Sequence, residues 1–190
     1  MIDYFALLGQ PRQPHLDSAV LELEFRKRAL SLHPDAQGRA AAESDAFSAL
    51  NQAFTTLRNP RLRLHHLLVL EGAEYKQNSL PKECTDLFSR AAEIASRARR
   101  QLQREGTAKN AITRSMSQIE RTRTGQELNA LLRALEANEA DAENELRSLD
   151  EQWHHDRAAA IESAQRLQHR FTFVQKWIAS LRELAFELQN

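Results

Sequence analysis

The chain has 190 residues, 42% of them apolar and 27% charged, with 26 Lys+Arg set against 26 Asp+Glu. That size suits one or two small domains, and the even charge balance gives no argument for a nucleic-acid or membrane partner. The lone cysteine, Cys84, excludes an internal disulfide framework and a multi-cysteine metal site.

A lone cysteine suits a reducing compartment. No run is long and apolar enough to cross a bilayer, and the start, "MIDYFALLGQPRQ", lacks the basic-then-apolar order of a signal peptide. The expectation is a soluble, cytoplasmic protein. Leu, Ala, Glu, Arg and Gln dominate while Val and Ile are scarce, and no β-branched alternation occurs. The predicted fold class is all-α.

"DYFALLG" (3–9) reads as a short apolar turn ended by Gly9. Asp17 then stands as an N-cap before a helix with Leu21, Phe25, Ala29 and Leu32 on one face. That helix must end near Leu32, because the residue before Pro34 is pushed out of the α region. After a loop from His33 to about Ala40, Phe47, Leu50, Phe54 and Leu57 form a second stripe, stopped at Asn59-Pro60. "RLRLHHLLVLEG" supplies one more short helix, closed by Gly72. The two main stripes face each other if the loop folds back, so residues 1–72 read as one unit and 73–81 as a linker.

Residues 82–190 read as a helical bundle. Apolar residues recur at Leu87, Ala91, Ile94, Ala98 and Leu102, stop at Gly106, and resume at Ile112, Met116 and Ile119. "RTRTGQE" breaks the phase, and Thr124 to Glu127 fits a capping box that would open a new helix, followed by Leu128, Leu131, Leu135, Ala142, Leu146 and Leu149. The last helix carries Ala160, Ala164, Leu167, Phe171, Val174, Ile178, Leu181, Ala185 and Leu188 in steps of four and three, the seam of a packed bundle helix. Residues 90–123 hold nine Lys/Arg against three Asp/Glu, and 124–156 two against nine, so oppositely charged helices are expected side by side. His65-His66 and His154-His155 read as surface histidines, because neighbours on a helix point different ways.

The tripeptide His33-Pro34-Asp35 falls at the tip of the predicted hairpin, just past Arg26, Lys27 and Arg28. Taken alone it is ordinary turn chemistry. In its setting, an imidazole, a rigid proline and a carboxylate beside basic residues can dock on another protein's polar surface. No arrangement of a serine or cysteine nucleophile with His33 and Asp35 is recognisable and no second ligand pair stands at metal spacing, so no catalytic residue, metal or cofactor is expected.

"DYFALLG", "EFRKRALSLHPDA" and "AFSALNQAFTTLRNPRLR" resemble the three parts of a J domain, the co-chaperone module of the DnaJ family, over about residues 3–66. The resemblance implies that His33, Pro34 and Asp35, with Arg26 and Lys27 as electrostatic contacts, engage a DnaK-type heat-shock chaperone and trigger its ATP hydrolysis. It also implies core roles for Phe25, Ala29, Phe47, Leu50, Phe54 and Leu57. Arg28 stands where an apolar residue is common in the family, and Ser31 and Ala36 where basic ones are.

The chain has neither a Gly/Phe-rich segment nor a cysteine-rich zinc region. "NPRLRLHHLLVLEG", with Leu67, Leu68, Leu70 and Gly72, and "FTFVQKWIASL" are similar instead to segments of the HscB co-chaperones of iron–sulfur cluster assembly. That resemblance implies a C-terminal bundle that holds an iron–sulfur scaffold protein as client, through Phe173 on the last helix and Leu87 and Ala91 on the first. Residues 107–123 are extra to that pattern. Two other readings stay open: a non-catalytic helical adaptor with a J-like docking unit, and a nucleic-acid-binding helical protein using the arginines at 97–104, though no aromatic residue interleaves with them for stacking.

Overall fold

The computed structural model describes residues 2–32, 42–73, 84–104 and 111–189, and the fold is all-α. Among the described residues seven helices follow one another: α1 (Tyr4–Leu7), α2 (Ser18–Ser31), α3 (Ala42–Arg58), α4 (Pro60–Leu70), α5 (Thr85–Arg104), α6 (Ala111–His155) and α7 (Arg157–Gln189). The described residues divide into two compact units. One takes those of Met1–Gln77 together with Glu143–Gln168, the other those of Asn78–Ala142 together with His169–Asn190. A division by chain order alone puts 143–168 with the C-terminal bundle; in the structure they belong with the N-terminal helices. The expected linker lies almost wholly outside the described residues.

Local capping sets the helix starts of the first unit. The Asp17 carboxylate accepts from the N–H groups of Ala19 and Val20 at 2.8 and 3.0 Å. Asn59 accepts from Leu62 N–H at 3.2 Å with Pro60 in the first helical turn, and each such cap contributes about 1 kcal/mol. α2 ends at Leu32, whose N–H reaches Arg28 and Ala29 carbonyls. The turn after α4 closes at Gly72, where φ of 67° places the backbone in the region glycine adopts without strain.

α3 packs against α1, α2 and α4, burying Phe5, Leu8, Leu21, Leu50, Ala53, Leu57, Leu64 and Leu67. Phe47 departs from the expected stripe: it is exposed, and Ala53 takes the buried place between Leu50 and Leu57.

The segment between α1 and α2 contains Pro11 and Pro14 and cannot form a ladder of its own. Side chains from α4 and α6 satisfy it. Arg63, buried in α4, donates from Nε to the Pro14 carbonyl at 2.8 Å and from Nη1 to the Leu57 carbonyl at 2.7 Å. Burial pushes its pKa down to about 10, opposed by Glu143 and Asp150. The buried Trp153 donates its indole N–H to the Arg12 carbonyl at 2.8 Å. Asp150 accepts the His15 N–H at 2.9 Å. Arg157 lies over the Trp153 ring, 4.0 Å from its centroid, and forks onto both oxygens of Glu71 at 3.0 and 2.9 Å.

His66 corrects the expectation of surface histidines. It is buried, stacks on Tyr4 with centroids 4.4 Å apart, and accepts the Tyr4 N–H at Nε2, 3.1 Å away.

In the second unit α5, residues 111–142 of α6 and residues 169–189 of α7 enclose a core of Phe88, Ala91, Ile94, Ala98, Leu128, Leu131, Leu135, Val174, Ile178, Leu181 and Leu188, with Cys84 buried at its edge. The long α7 seam is buried as expected, except that Leu184 replaces Ala185 near its end. Of the oppositely charged stretches, α5 meets α6 through Arg97 and Glu127, whereas residues 111–123 share the helix α6 with the acidic stretch; Arg182 of α7 also pairs with Glu136 of α6. α6 corrects the expected break: it runs unbroken through Gly125, and Thr124 is a buried mid-helix residue rather than a cap. Glycine inside a helix costs about 1 kcal/mol. Packing of Leu128 and Leu131 outweighs that cost, and Glu127 pairs with Arg97 and Arg123 instead of turning back to cap.

Replacing Arg63 by Ala removes two charge-assisted hydrogen bonds and orphans two carbonyls, so urea unfolding should show a loss of about 3 kcal/mol. Desolvation lowers the His66 pKa from its ordinary 6.5, against the Asp3 charge. The unfolded chain therefore takes up this proton first as pH falls. Stability should drop as pH descends through 6.5 and level off below the folded-state pKa. His66→Gln, which keeps an acceptor, should flatten that slope in urea midpoints measured across pH.

Candidate functional site

Two surfaces follow from the sequence, one on α2 and one on the edge of the second unit. On α2, Arg26 is exposed and pairs with Glu22 at 2.5 Å, and Lys27 is exposed and pairs with Glu24 at 2.8 Å. Arg28 also holds Glu24, from Nη1 at 2.5 Å. Lys27 and then Arg28 keep the Glu24 carboxyl below its ordinary range. Exposed pairs of this kind contribute about 0–1 kcal/mol each, so a docking partner can exchange with them at little cost. Spacings of three and four residues, Glu22 to Arg26, Glu24 to Lys27 and Glu24 to Arg28, already carried this signal in the sequence.

Arg28 has a place of its own. Its guanidinium lies against Gly9, where an added Cβ would come within 2.3 Å of Nη2, and Gly9 has φ of +62°. The arginine thus folds back over the turn after α1 instead of joining the outer basic face. Behind α2, Phe25 stacks on Phe54 of α3 with centroids 4.3 Å apart, fixing which face of α2 turns outward. α2 ends at Leu32, and His33, Pro34 and Asp35 lie outside the described residues.

On the second unit, Phe173 and Leu87 are half-buried at the rim of the core, while Ala91 is fully buried and contributes no surface. The sequence reading missed Phe88. It is buried, 5.9 Å by centroid from Phe173 and 6.3 Å from a stacked Trp177. The signal was present: Cys84, Phe88, Ala91, Ala95 and Ala98 step by four and three, as regular a seam as the one through Leu87. Phe88 supports the inner faces of the two half-buried aromatics, which keep an outer edge in solvent. Arg170 donates to Asn138 Oδ1 at 2.9 Å and to its carbonyl at 3.0 Å, tying α7 to α6 at the level where the second unit begins.

Among the described residues no group of three or more His, Cys, Asp or Glu is placed to hold a metal ion, and no helix is long and apolar enough to cross a membrane.

Residues 3–66 match the DnaJ domain family. Among solved structures, chaperone HscB from Vibrio cholerae is similar over 98% of this chain and 99% of its own, at 21% identity and a TM-score of 0.54. Human co-chaperone protein HscB is similar over 94% of this chain and 81% of its own, at 18% identity and a TM-score of 0.56. Identities this low carry the fold and not the residue roles.

The half-buried edge of Phe173 and the buried seam position of Phe171 separate surface from core. Phe171→Ala should cost about 3–5 kcal/mol in a thermal melt, and Phe173→Ala about 1–2 kcal/mol, because part of its ring area stays wet in the folded protein.

Proposed function

We propose that this chain, which carries a DnaJ domain at residues 3–66 on the fold of the HscB co-chaperones, stimulates the ATPase of a DnaK-type heat-shock chaperone and delivers a client to it. The observation that carries the reading is local. α2 presents exposed Arg26 and Lys27 and stops at Leu32, immediately before His33-Pro34-Asp35 and inside the matched domain. In this reading the tripeptide and the two basic side chains form the chaperone contact, with residues 1–72 as the J module. The protein regulates another enzyme's hydrolysis and has no chemistry of its own to perform. It would do so in the cytoplasm.

The client reading assigns the second unit. The likeness of "LLVLEG" and "FTFVQKWIASL" to HscB segments supports an iron–sulfur scaffold protein as client. Leu87 and Phe173 offer the apolar edge and Phe88 stiffens it from beneath, while Ala91 lets the α5 backbone pack closely. Half-buried aromatics on a supported edge suit a binding anchor, since little order remains to be lost on docking.

His33→Gln should abolish stimulation of a DnaK-type ATPase in single-turnover assays while shifting stability in urea by no more than about 0.5 kcal/mol. Stimulation equal to the parent's would reduce the tripeptide to a helix stop. Arg26→Glu should weaken stimulation without removing it, since its charge is already shared with Glu22.

A further inference from the structure

The chain has two tryptophans, Trp153 and Trp177, and the fold uses them differently. Trp153 is buried and gives its indole N–H to the Arg12 carbonyl at 2.8 Å. Trp177 is half-buried, and among the described residues its indole N–H has no partner and stays open to solvent. Its ring is nonetheless held. Phe88 of α5 stacks on it at 6.3 Å by centroid, with 27° between the ring planes, and the same Phe88 lies 5.9 Å from Phe173. Trp177 and Phe173 stand four residues apart on α7, so they are neighbours on one face of the helix. A tryptophan kept for packing pairs its N–H inside the protein, as Trp153 does. A packed ring with a wet N–H is the form the residue takes at interfaces.

Trp177 extends the edge formed by Leu87 and Phe173. Phe173 and Trp177 share one support, Phe88, and neighbour each other along α7, so a protein that seats on Phe173 also covers Trp177. Covering it takes water from the indole N–H. The donor must then find an oxygen on the partner, or docking loses the hydrogen bond that water supplied. The side chains of Leu87 and Phe173 carry no polar atom and accept one apolar group much as another. The N–H of Trp177 discriminates, because it rejects a partner with no acceptor at that place.

We infer, resting on the client reading of this edge, that Trp177 is a specificity-determining residue for the client, and that its indole N–H donates to an oxygen of the docked iron–sulfur scaffold protein. Tryptophan is also among the side chains that most often carry a large share of binding energy at the centre of an interface.

Two tryptophans give two indole ¹⁵N–H signals, and Trp153 is the internal control. The full-length protein, labelled with ¹⁵N at tryptophan, is titrated with an unlabelled iron–sulfur scaffold protein. Before titration the Trp177 proton should exchange with water quickly and the Trp153 proton slowly. On binding, the Trp177 signal should move downfield to saturation and its exchange should slow at least about tenfold, while Trp153 stays put. Trp177→Phe keeps a ring against Phe88 and removes the donor; it should keep the helical content and lower affinity about tenfold. Saturable binding that Phe173→Ala weakens, but that leaves the Trp177 indole unmoved and fast to exchange, overturns the inference and spares the client reading. Binding by Trp177→Phe as tight as the parent's does the same. Absence of any binding overturns both. An equal shift on concentrating the labelled protein alone assigns the N–H to a second copy and also overturns the inference.

Discussion

The buried guanidinium of Arg63 organises the first unit. A cation that loses its water must find oxygen, and here it finds the Pro14 and Leu57 carbonyls. The proline-bearing segment after α1 and the end of α3 are thereby held to one side chain. The same segment is gripped from α6, through Asp150 on the His15 N–H and Trp153 on the Arg12 carbonyl. With α1 so anchored, Gly9 meets Arg28, Phe25 meets Phe54, and α2 is left with Arg26 and Lys27 outward. The direction in which Arg26 and Lys27 point thus depends on a charge that stays buried.

The second unit uses a different economy of forces. Its core is aliphatic and its polar links lie on the rim, as with Arg97 and Glu127, Arg182 and Glu136, and Gln175 and Glu139. Rim pairs choose which helix faces which; burial of the Leu, Ile and Ala seam supplies the stability. The aromatics Phe88, Phe173 and Trp177 gather at one edge, where a ring can be half in the core and half in solvent. That division of labour leaves a stiff surface beside a stable interior.

Features set by neighbouring residues were legible in the sequence. The cap at Asp17, the break at Asn59-Pro60, the stop at Leu32 and the α7 seam all follow from residues within a turn or two. Features set by distant partners were not. His66 looks like half of a surface pair until Tyr4, 62 positions away, supplies its N–H. The capping box at Thr124 is sound local grammar, overruled by burial of Thr124 and by a glutamate with two arginines in reach. Leu87 and Phe88 start two equally regular stripes, and only packing chooses between them. The tripeptide at 33–35 was legible as a motif alone and lies outside the described residues.

The division of α6 and α7 between the two units bears on how the chain is made. Trp153 and Arg12 are separated by 141 positions, and His15 and Asp150 by 135. During synthesis the N-terminal helices leave the ribosome long before the residues that satisfy their connecting segment. Domains that can close early fold as they emerge; this one waits, with the Arg12 carbonyl and the His15 N–H left to water, until α6 is nearly complete. Contacts between such distant positions also slow folding of the finished chain. For most of its own synthesis the N-terminal part of the chain is therefore an incompletely folded polypeptide.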